Sequence, residues 1–430
     1  MTDESKTYTL LPEQEFRLEV DFASTAIVQL KSGTAEIFGA ELAPATIYSF
    51  SGQKVAIFSW HGCTLEIQGA CSVQYVAEET PMHSYLNLHT ALAQQRTAAT
   101  ASQGSGPVVL VLGPTDAGKS SLSKILLNYA VRQQHHPIFV NLDPAEGSIA
   151  MPGTLSAAPM LHLVDPVDEF SAIGLDKTGE MAAPLCFHYG FAASGDNPKL
   201  FRLLITKLAS AVHARLKHDT ASRQAGLIID TGGTIDPNSY DIIKECVDVF
   251  NVTAIVILGH ERLYSDMNRL YTNSSAISVV KLAKSGGVVN RDKDYLRQAQ
   301  QRAIKKYFYG SAQCEYSPFS AIAWYQDLKI YRVEDSIAPT SALPLGLDRK
   351  VSETQTVPMD PGPILLHSIL TVSSLDSTED ESKILESSAI GFVYVSAVNE
   401  RKSTITVLSP IPGRLPRKYL LLSSFKWMEM

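Results

Sequence analysis

The chain has 430 residues, a formal net charge of −7 and an apolar fraction of 45%. This length exceeds what one hydrophobic core usually serves, so we expect two or three domains. The acidic balance excludes a protein that holds nucleic acid through a broad basic face. No stretch resembles a signal peptide or a membrane span, and the cysteines form no C-x-x-C pair, which favours a soluble intracellular protein with reduced thiols.

The N-terminal region has the pattern of a small β domain. Apolar and polar residues alternate from Tyr8 to Val76, with frequent Gly or Ser-Gly breaks. This rhythm predicts a β sandwich or barrel. A helical pattern covers Pro81 to Ala98, and the small polar residues from Ala99 to Pro107 predict a flexible connector. We therefore place the first domain at residues 1–98.

The most informative string is Gly-Pro-Thr-Asp-Ala-Gly-Lys-Ser, from Gly113 to Ser120, which matches the phosphate-loop pattern G-x-x-x-x-G-K-[ST]. An apolar strand, Val108 to Leu112, precedes it, and helical spacing from Leu122 to Val131 follows it. Strand, loop and helix in this order are the context that the pattern requires. The string therefore predicts a nucleotide site.

Each residue type in this loop has a chemical reason to be there. Gly113 and Gly118 let successive N–H groups turn toward an anion at a helix N-terminus. Lys119 reaches the outer phosphates, and the Ser120 hydroxyl is placed to bind Mg²⁺. The predicted nucleotide contacts in this segment are Gly113, Thr115, Asp116, Ala117, Gly118, Lys119, Ser120 and Ser121.

Apolar strands and helical stretches alternate through the next two hundred residues. This alternation predicts an α/β fold with a central P-loop NTPase-type parallel sheet and helices on both faces, over residues 99–310. The predicted strands are Ile138 to Leu142, Gly226 to Ile229, Val252 to Leu258 and Ile277 to Leu282, and the predicted helices include Pro198 to Leu216 and Tyr240 to Val249.

Two aspartates follow predicted strands at the carboxyl edge of this sheet. Asp143 suits a base that accepts the proton of an attacking hydroxyl, although Asp143-Pro144 is also a common turn starter. Asp230 ends an apolar strand in the manner of a Walker B element. We expect Ser120, Asp143 and Asp230 to serve Mg²⁺.

A candidate lid covers residues 284–310. It begins with Lys284-Ser-Gly-Gly and continues into a charged helical stretch that carries Arg291. A hinge followed by an arginine suits a lid over a phosphoryl-transfer site. A solvated amphipathic helix explains the same residues equally well.

The alternating β pattern returns after Gly310. Apolar and polar residues alternate around Trp324, from Leu328 to Val333, from Ile390 to Val395 and from Ser403 to Leu408. These patterns predict a third, mostly β (α+β) domain over residues 311–430. The acidic, Ser-rich segment from Ser373 to Ser382 predicts an exposed loop.

Several strings together resemble the Clp family of polynucleotide kinases and pre-mRNA cleavage factors. They are the phosphate loop, Ala35 to Leu42, Trp60 to Cys63, Asn141 to Asp143, Gly147-Ser, Pro152 to Thr154, Lys284 to Gly287, Tyr307 to Gly310 and Leu408 to Pro416. The resemblance implies an N-terminal β-sandwich-like domain, a central ATP-binding domain and a smaller C-terminal domain. It also implies a nuclear protein of pre-mRNA 3′-end processing.

The resemblance carries further expectations about ligands and partners. It implies ATP and Mg²⁺ as cofactors, with Glu15 and Lys54 at the adenine end of the site. Animal members phosphorylate RNA 5′-hydroxyls, whereas fungal members resemble subunits of cleavage factor IA that hold ATP and bind a Pcf-type scaffold and other processing factors. No membrane partner is implied.

Departures from the active pattern decide between these branches. The family's active kinases have Cys-Gly-Trp where this chain has Gly232-Gly-Thr234, and Leu296 replaces a second lid arginine, with Arg297 one residue further. Neighbouring residues on a helix point about 100° apart, so Arg297 does not substitute. We therefore expect a fungal-type cleavage factor IA subunit with mainly structural ATP and weak or indirect RNA contact.

Two other functions stay open. The first is an active polynucleotide 5′-hydroxyl kinase, in which Asp143 is the base while Lys119 and Arg291 contact the phosphates. The second, which the sequence disfavours, is a GTPase-type switch, because no N-K-x-D string follows Val252 to Leu258.

Overall fold

The computed structural model describes residues 5–170, 184–233, 237–311, 314–335 and 354–429. Contacts divide the chain into two compact units. The first comprises residues 1–142, 157–184 and 212–299, and the second comprises residues 143–156, 185–211 and 300–430. None of the helices in the described ranges has the length and apolar character needed to cross a membrane.

The described strands and helices, numbered along the chain, have the following bounds. The strands are β1 Lys6–Leu10, β2 Gln14–Val20, β3 Ala26–Gly33, β4 Glu36–Ile37, β5 Ala40–Glu41, β6 Ile47–Phe50, β7 Gln53–Ser59, β8 Cys63–Gly69, β9 Val73–Ala77, β10 Val108–Leu112, β11 Ile138–Leu142, β12 Thr154–Pro159, β13 Leu185–His188, β14 Leu227–Thr231, β15 Ala254–Leu258, β16 Ser278–Leu282, β17 Gly310–Ser311, β18 Cys314–Glu315, β19 Phe319–Trp324, β20 Lys329–Asp335, β21 Thr354–Met359, β22 Ser368–Asp376, β23 Ser388–Asn399, β24 Thr404–Ser409 and β25 Lys418–Lys426. The helices are α1 Met82–Ser102, α2 Lys119–Arg132, α3 Pro198–His218, α4 Thr220–Ala225, α5 Pro237–Phe250, α6 Glu261–Tyr271 and α7 Lys293–Tyr309.

The N-terminal region of the first unit is a β sandwich, as its alternating sequence predicts. A four-stranded sheet has the order β1-β8-β3-β6, and a five-stranded sheet has the order β5-β4-β7-β2-β9. Alternate residues of β2, namely Phe16, Leu18 and Val20, are buried in one apolar cluster with residues of β3 and β8. The intervening residues of β2 therefore lie on the opposite face of its sheet.

The first unit also contains the predicted parallel sheet. Strands β16, β15, β10, β14 and β11 lie side by side in this order and run parallel. Every residue of β10, β11 and β15 is buried, in agreement with their almost entirely apolar sequences. Because β10 lies between β14 and β15, the loop that follows it emerges at the centre of the sheet.

The second unit contains a mostly antiparallel sheet with the order β13-β23-β22-β25-β20-β21, and β24 joins β19 to β23. One apolar cluster includes Leu370 and Val393. Another includes Ile304 and Phe308 of α7, which pack with Tyr394 and Trp427. The predicted α/β fold with two flanking β-rich regions is confirmed, whereas the boundaries at residues 98 and 310 stay predictions.

Two local predictions are wrong. Helix α1 continues through residues 99–102 of the predicted connector, since alanine favours the helix, and it ends at Gln103 in a left-handed conformation with φ 53°. The segment from Ser373 to Ser382 is not one exposed loop, because β22 continues to Asp376 and Ser373 is buried. A 3₁₀ helix, Glu381–Glu386, follows after a turn.

The buried histidine of α1 gives the first unit a pH dependence. The ring of His89 lies 5.2 Å from that of Tyr129, and burial together with nearby Arg96 lowers the pKa of His89 to about 4. An unfolded histidine has a pKa of about 6.5. The unfolded chain therefore binds a proton that the folded protein does not, and the free energy of unfolding falls as pH drops from about 6.5 toward 4.

We predict that His89→Phe, which keeps a ring against Tyr129, reduces the stability lost between pH 7 and pH 5 by about 2 kcal/mol. Urea unfolding of both proteins at the two pH values measures the difference. Equal losses in the two proteins would contradict this assignment.

Candidate nucleotide-binding site

The loop between β10 and α2 has the backbone of an anion cradle. Asp116 has a φ of 54° and Gly118 a φ of 88°, so both adopt left-handed conformations. A Cβ at Gly113 would lie 2.8 Å from the Leu258 carbonyl oxygen of β15, so only glycine fits there without displacement. Helix α2 begins at Lys119, and the N-terminus of a helix attracts an anion through its N–H groups and its partial positive charge.

Asp116 joins this loop to the predicted lid. Its carboxylate accepts a hydrogen bond from the Arg291 backbone N–H at 2.9 Å and another from Arg291 Nε at 2.6 Å. The Asp116 side chain is 8% exposed and that of Arg291 is 29% exposed. Charge-assisted bonds with this little solvent contact are among the stronger polar interactions in proteins. Arg291 lies two residues before α7, not on the helix.

The other loop residues have distinct surroundings. Lys119 is buried, and its Nζ donates a hydrogen bond to the Pro114 carbonyl oxygen at 2.8 Å. Ala117 is fully buried under the loop, whereas Thr115 is exposed. Ser120 and Ser121 are half-buried in the first turn of α2.

Asp230 lies on β14, next to the strand that carries the loop. It is fully buried and pairs in register with Val111 of β10 and Asn141 of β11. The neighbouring Thr231 donates its hydroxyl hydrogen to the Val111 carbonyl oxygen at 2.7 Å, which ties β14 to β10 just before the loop. The buried polar Asn141, in register with Asp230, was not among the predicted site residues.

Hydroxyl and carboxylate oxygens suit Mg²⁺, which binds through few protein ligands together with phosphates and water. The Ser120 hydroxyl and the Asp230 carboxylate would serve it. Within the described residues, no group of three or more His, Cys, Asp or Glu side chains could hold a metal by itself.

Asp143 immediately follows β11 in the chain and belongs to the second compact unit. Its Oδ1 accepts a hydrogen bond from the Ala145 backbone N–H at 2.9 Å. This is the local turn that the Asp143-Pro144 string also predicted. Its role as a base or a magnesium ligand stays a prediction.

The two residues predicted to contact adenine, Glu15 and Lys54, lie on the five-stranded sheet of the sandwich and interact with neighbouring side chains. Glu15 is buried and accepts hydrogen bonds from Arg17 Nε at 2.6 Å and from the Thr80 hydroxyl at 2.8 Å. Lys54 lies 3.0 Å from Glu19. A role of either residue in adenine binding stays a prediction.

The residues that depart from the active family pattern differ in their surroundings. Gly233 packs against Thr115, whereas Thr234 lies outside the described residues. Leu296 is half-buried and Arg297 exposed on α7, so the two side chains differ in their surroundings as helix geometry requires.

Comparisons with known proteins cover almost the whole chain. Residues 113–310 match the family model of the mRNA cleavage and polyadenylation factor CLP1 P-loop. Residues 9–99 match the N-terminal β-sandwich domain of polyadenylation factor, and residues 316–429 match pre-mRNA cleavage complex II protein Clp1. The three matches follow one another along the chain.

Individual relatives are similar over more than nine-tenths of their lengths. The mRNA cleavage and polyadenylation factor clp1 of Botryotinia fuckeliana is 39% identical, over 98% of this chain and 93% of the relative. The polyribonucleotide 5′-hydroxyl-kinase Clp1 of Gallus gallus is 38% identical, over 98% and 96%. A solved Clp1p–Pcf11p complex contains a chain 26% identical, with a TM-score of 0.89 over 100% of this chain and 99% of that one.

A close approach beside the loop yields a test of the site. A Cβ on Gly233 would lie 2.3 Å from Thr115 Oγ1 and 2.4 Å from the Thr115 nitrogen. We predict that Gly233→Ala displaces the loop and weakens ATP–Mg²⁺ binding by about tenfold or more, measured by titration calorimetry. Gly195→Ala, where no atom lies within 4 Å of the new Cβ, is the matched control. Wild-type affinity in Gly233→Ala would refute the prediction.

Proposed function

The chain belongs to the Clp1 family of mRNA cleavage and polyadenylation factors, and we propose that it is an ATP-binding subunit of the pre-mRNA 3′-end cleavage and polyadenylation machinery. The observation that carries the proposal is the loop from Gly113 to Ser121. It combines left-handed turns, a buried lysine and a helix N-terminus at the centre of a parallel sheet.

ATP acts in this proposal as a mainly structural ligand. Glu15 and Lys54 contact the adenine end, the phosphate loop holds the phosphates, and Ser120, Asp143 and Asp230 serve Mg²⁺. A ligand that binds only the folded protein stabilises it by about 4 kcal/mol at a concentration a thousand times its dissociation constant. This stabilisation needs no hydrolysis.

Three features support weak catalysis. Thr234, which stands where the active kinases have Trp, offers no aromatic ring on which an RNA base could stack, and Leu296 carries no charge. The one matching lid arginine, Arg291, is already hydrogen-bonded to Asp116. Phosphoryl transfer depends on positioning and charge stabilisation, and an arginine supplied at this step is worth about 10³ to 10⁵ in rate.

A Pcf-type scaffold is the proposed partner. The similar solved structure is a complex of Clp1p with Pcf11p, and the likeness extends over all of this chain. The proposed assembly is cleavage factor IA, to which a Pcf-type scaffold belongs in the family. The proposed location is the nucleus, because pre-mRNA is processed there.

The alternative is an active RNA 5′-hydroxyl kinase. Relatives about as similar as the fungal factor are named polyribonucleotide 5′-hydroxyl-kinases. The chain retains Lys119, Asp143 and Arg291, the residues expected to contact the phosphates or remove the hydroxyl proton. We do not favour this function, because the second arginine and the stacking ring are replaced.

Transfer of labelled phosphate from ATP to a 5′-hydroxyl oligoribonucleotide separates the two functions. We predict a rate about 10³-fold or more below that of the Gallus gallus kinase assayed in parallel, since charge stabilisation at the transferring group is reduced. Comparable transfer that disappears in both Lys119→Ala and Asp143→Ala would overturn the structural proposal in favour of the kinase.

A further inference from the structure

One charged residue of the N-terminal sandwich is buried although it points away from the sandwich core. Arg17 lies between Phe16 and Leu18 on β2, and both of these neighbours belong to the apolar cluster between the sheets. Side chains alternate along a strand, so Arg17 lies on the outer face. It is nevertheless only 7% exposed. Another part of the chain must therefore cover this face.

The covering segment is the start of the predicted lid. Arg17 Nη2 lies 3.5 Å from Ser285 Oγ and 3.0 Å from the Glu79 carbonyl oxygen. A Cβ on Gly287 would lie 2.5 Å from Arg17 Nε, and one on Gly286 would lie 2.0 Å from Glu79 Oε1. Close packing against the buried Arg17 side chain therefore favours glycine at position 287, whereas the exposed Glu79 side chain could move away from a larger residue at position 286.

The guanidinium of Arg17 is itself held from several sides. Its Nε donates to Glu15 at 2.6 Å, its Nη1 donates to the Tyr75 hydroxyl at 3.3 Å, and the group lies 5.8 Å from the centre of the Tyr75 ring. A planar, multiply bonded arginine of this kind loses little further entropy when another group packs on it. Arg17 therefore provides a rigid surface for residues 285–287.

A second attachment lies beyond Arg291. The Tyr295 hydroxyl donates to the Gly52 carbonyl oxygen at 3.1 Å, and the Tyr295 ring lies 5.1 Å from the Phe22 ring. Lys54 Nζ lies 5.3 Å from the centre of the Tyr295 ring. Gly52, Phe22 and Lys54 all belong to the N-terminal sandwich region, so both ends of residues 285–295 contact it.

Between these attachments, the same residues reach the phosphate loop. Arg291 pairs with Asp116, and a Cβ on Gly118 would lie 3.1 Å from Val288 Cγ2. We refer to residues 285–295 as the Arg291 segment. It is fixed at three places, two on the sandwich and one on the loop.

We propose that Arg17 and Tyr295 are positioning residues that seat the Arg291 segment on the N-terminal sandwich and so place Arg291 at the phosphate loop. Neither residue is expected to contact the reacting phosphate. Their effect is to restrict the segment before any nucleotide arrives. The role of these contacts in placing Arg291 rests on the proposed nucleotide site. The contacts between the Arg291 segment and the sandwich do not involve ATP.

Amide hydrogen exchange of the full chain without nucleotide tests the proposal on peptides spanning residues 284–299. The amides of Gly287, Val288 and Arg291 are hydrogen-bonded, so their exchange reports opening of the segment. We expect about tenfold faster exchange in Arg17→Met and Tyr295→Ala, since each loses at least one hydrogen bond and its packing. Tyr295→Phe, which loses only the hydroxyl, should show a smaller increase, and Arg17→Lys an intermediate one.

Lys31→Met is the matched control, because Lys31 pairs with Glu66 on the other sheet of the same sandwich. It should leave exchange in the Arg291 segment unchanged, and peptides from β10 should exchange equally in all variants. Wild-type exchange of the segment in both Arg17→Met and Tyr295→Ala would overturn the proposal. If Arg17→Met fails to fold, the tyrosine variants still test the proposal. Exchange of the Arg291 segment must then be fastest in Tyr295→Ala, slower in Tyr295→Phe and slowest in the wild-type protein.

Repeating the exchange measurement with ATP–Mg²⁺ separates this proposal from the proposed function. If the variants open the segment but wild-type protein binds no ATP, the proposed function fails and the seating stands. If ATP binds and the segment exchanges equally in all proteins, the seating fails alone.

Discussion

The ion pair between Asp116 and Arg291 neutralises the one carboxylate of the phosphate loop, Gly113 to Ser120. Asp116 is a nearly buried carboxylate inside a loop whose predicted ligand is a triphosphate. An uncompensated carboxylate there would repel that anion, and in surroundings with little water this repulsion is large. Arg291 neutralises the carboxylate through two N–H donors. If the loop holds a triphosphate as predicted, the Arg291 segment is part of that site as much as the loop is.

On the proposal that Arg17 and Tyr295 seat the Arg291 segment, the N-terminal sandwich contributes to nucleotide binding beyond any contact with adenine. Arg17 and Tyr295 fix the two ends of the Arg291 segment, so the sandwich helps to determine whether Asp116 is neutralised. Holding the arginine on the loop carboxylate favours tight retention of a triphosphate over the repeated rearrangements that turnover requires. The proposed structural role of ATP agrees with this arrangement.

The sequence predicted those parts of the site that are local in the chain. The phosphate-loop string, its flanking strand and helix, and Asp230 at the end of β14 all follow from short patterns with a physical basis. The alternating residues of β2 predicted the sandwich for the same reason. The helical continuation through residues 99–102 was missed, because small residues suit both helices and connectors.

The contacts of the Arg291 segment could not be predicted from local patterns. Arg17 and Ser285 are separated by 268 positions, and Gly52 and Tyr295 by 243. Arg17 gave no signal of its burial, because a charged residue in the alternating pattern of β2 is expected on the exposed face. The pair Gly286-Gly287 suggested a hinge, although close packing of Gly287 on Arg17 is a further reason for glycine there. Only the fold brings these residues together.

The nucleotide carried by protein purified without added ATP tests the central claim most directly. Denaturing the purified chain and separating the released nucleotide gives its identity and its amount per chain. If Arg291 neutralises Asp116 and phosphoryl transfer is slow, the wild-type protein should carry close to one intact ATP per chain. Lys119→Ala should carry none. ADP in place of ATP, or an empty site in wild-type protein, would contradict the account.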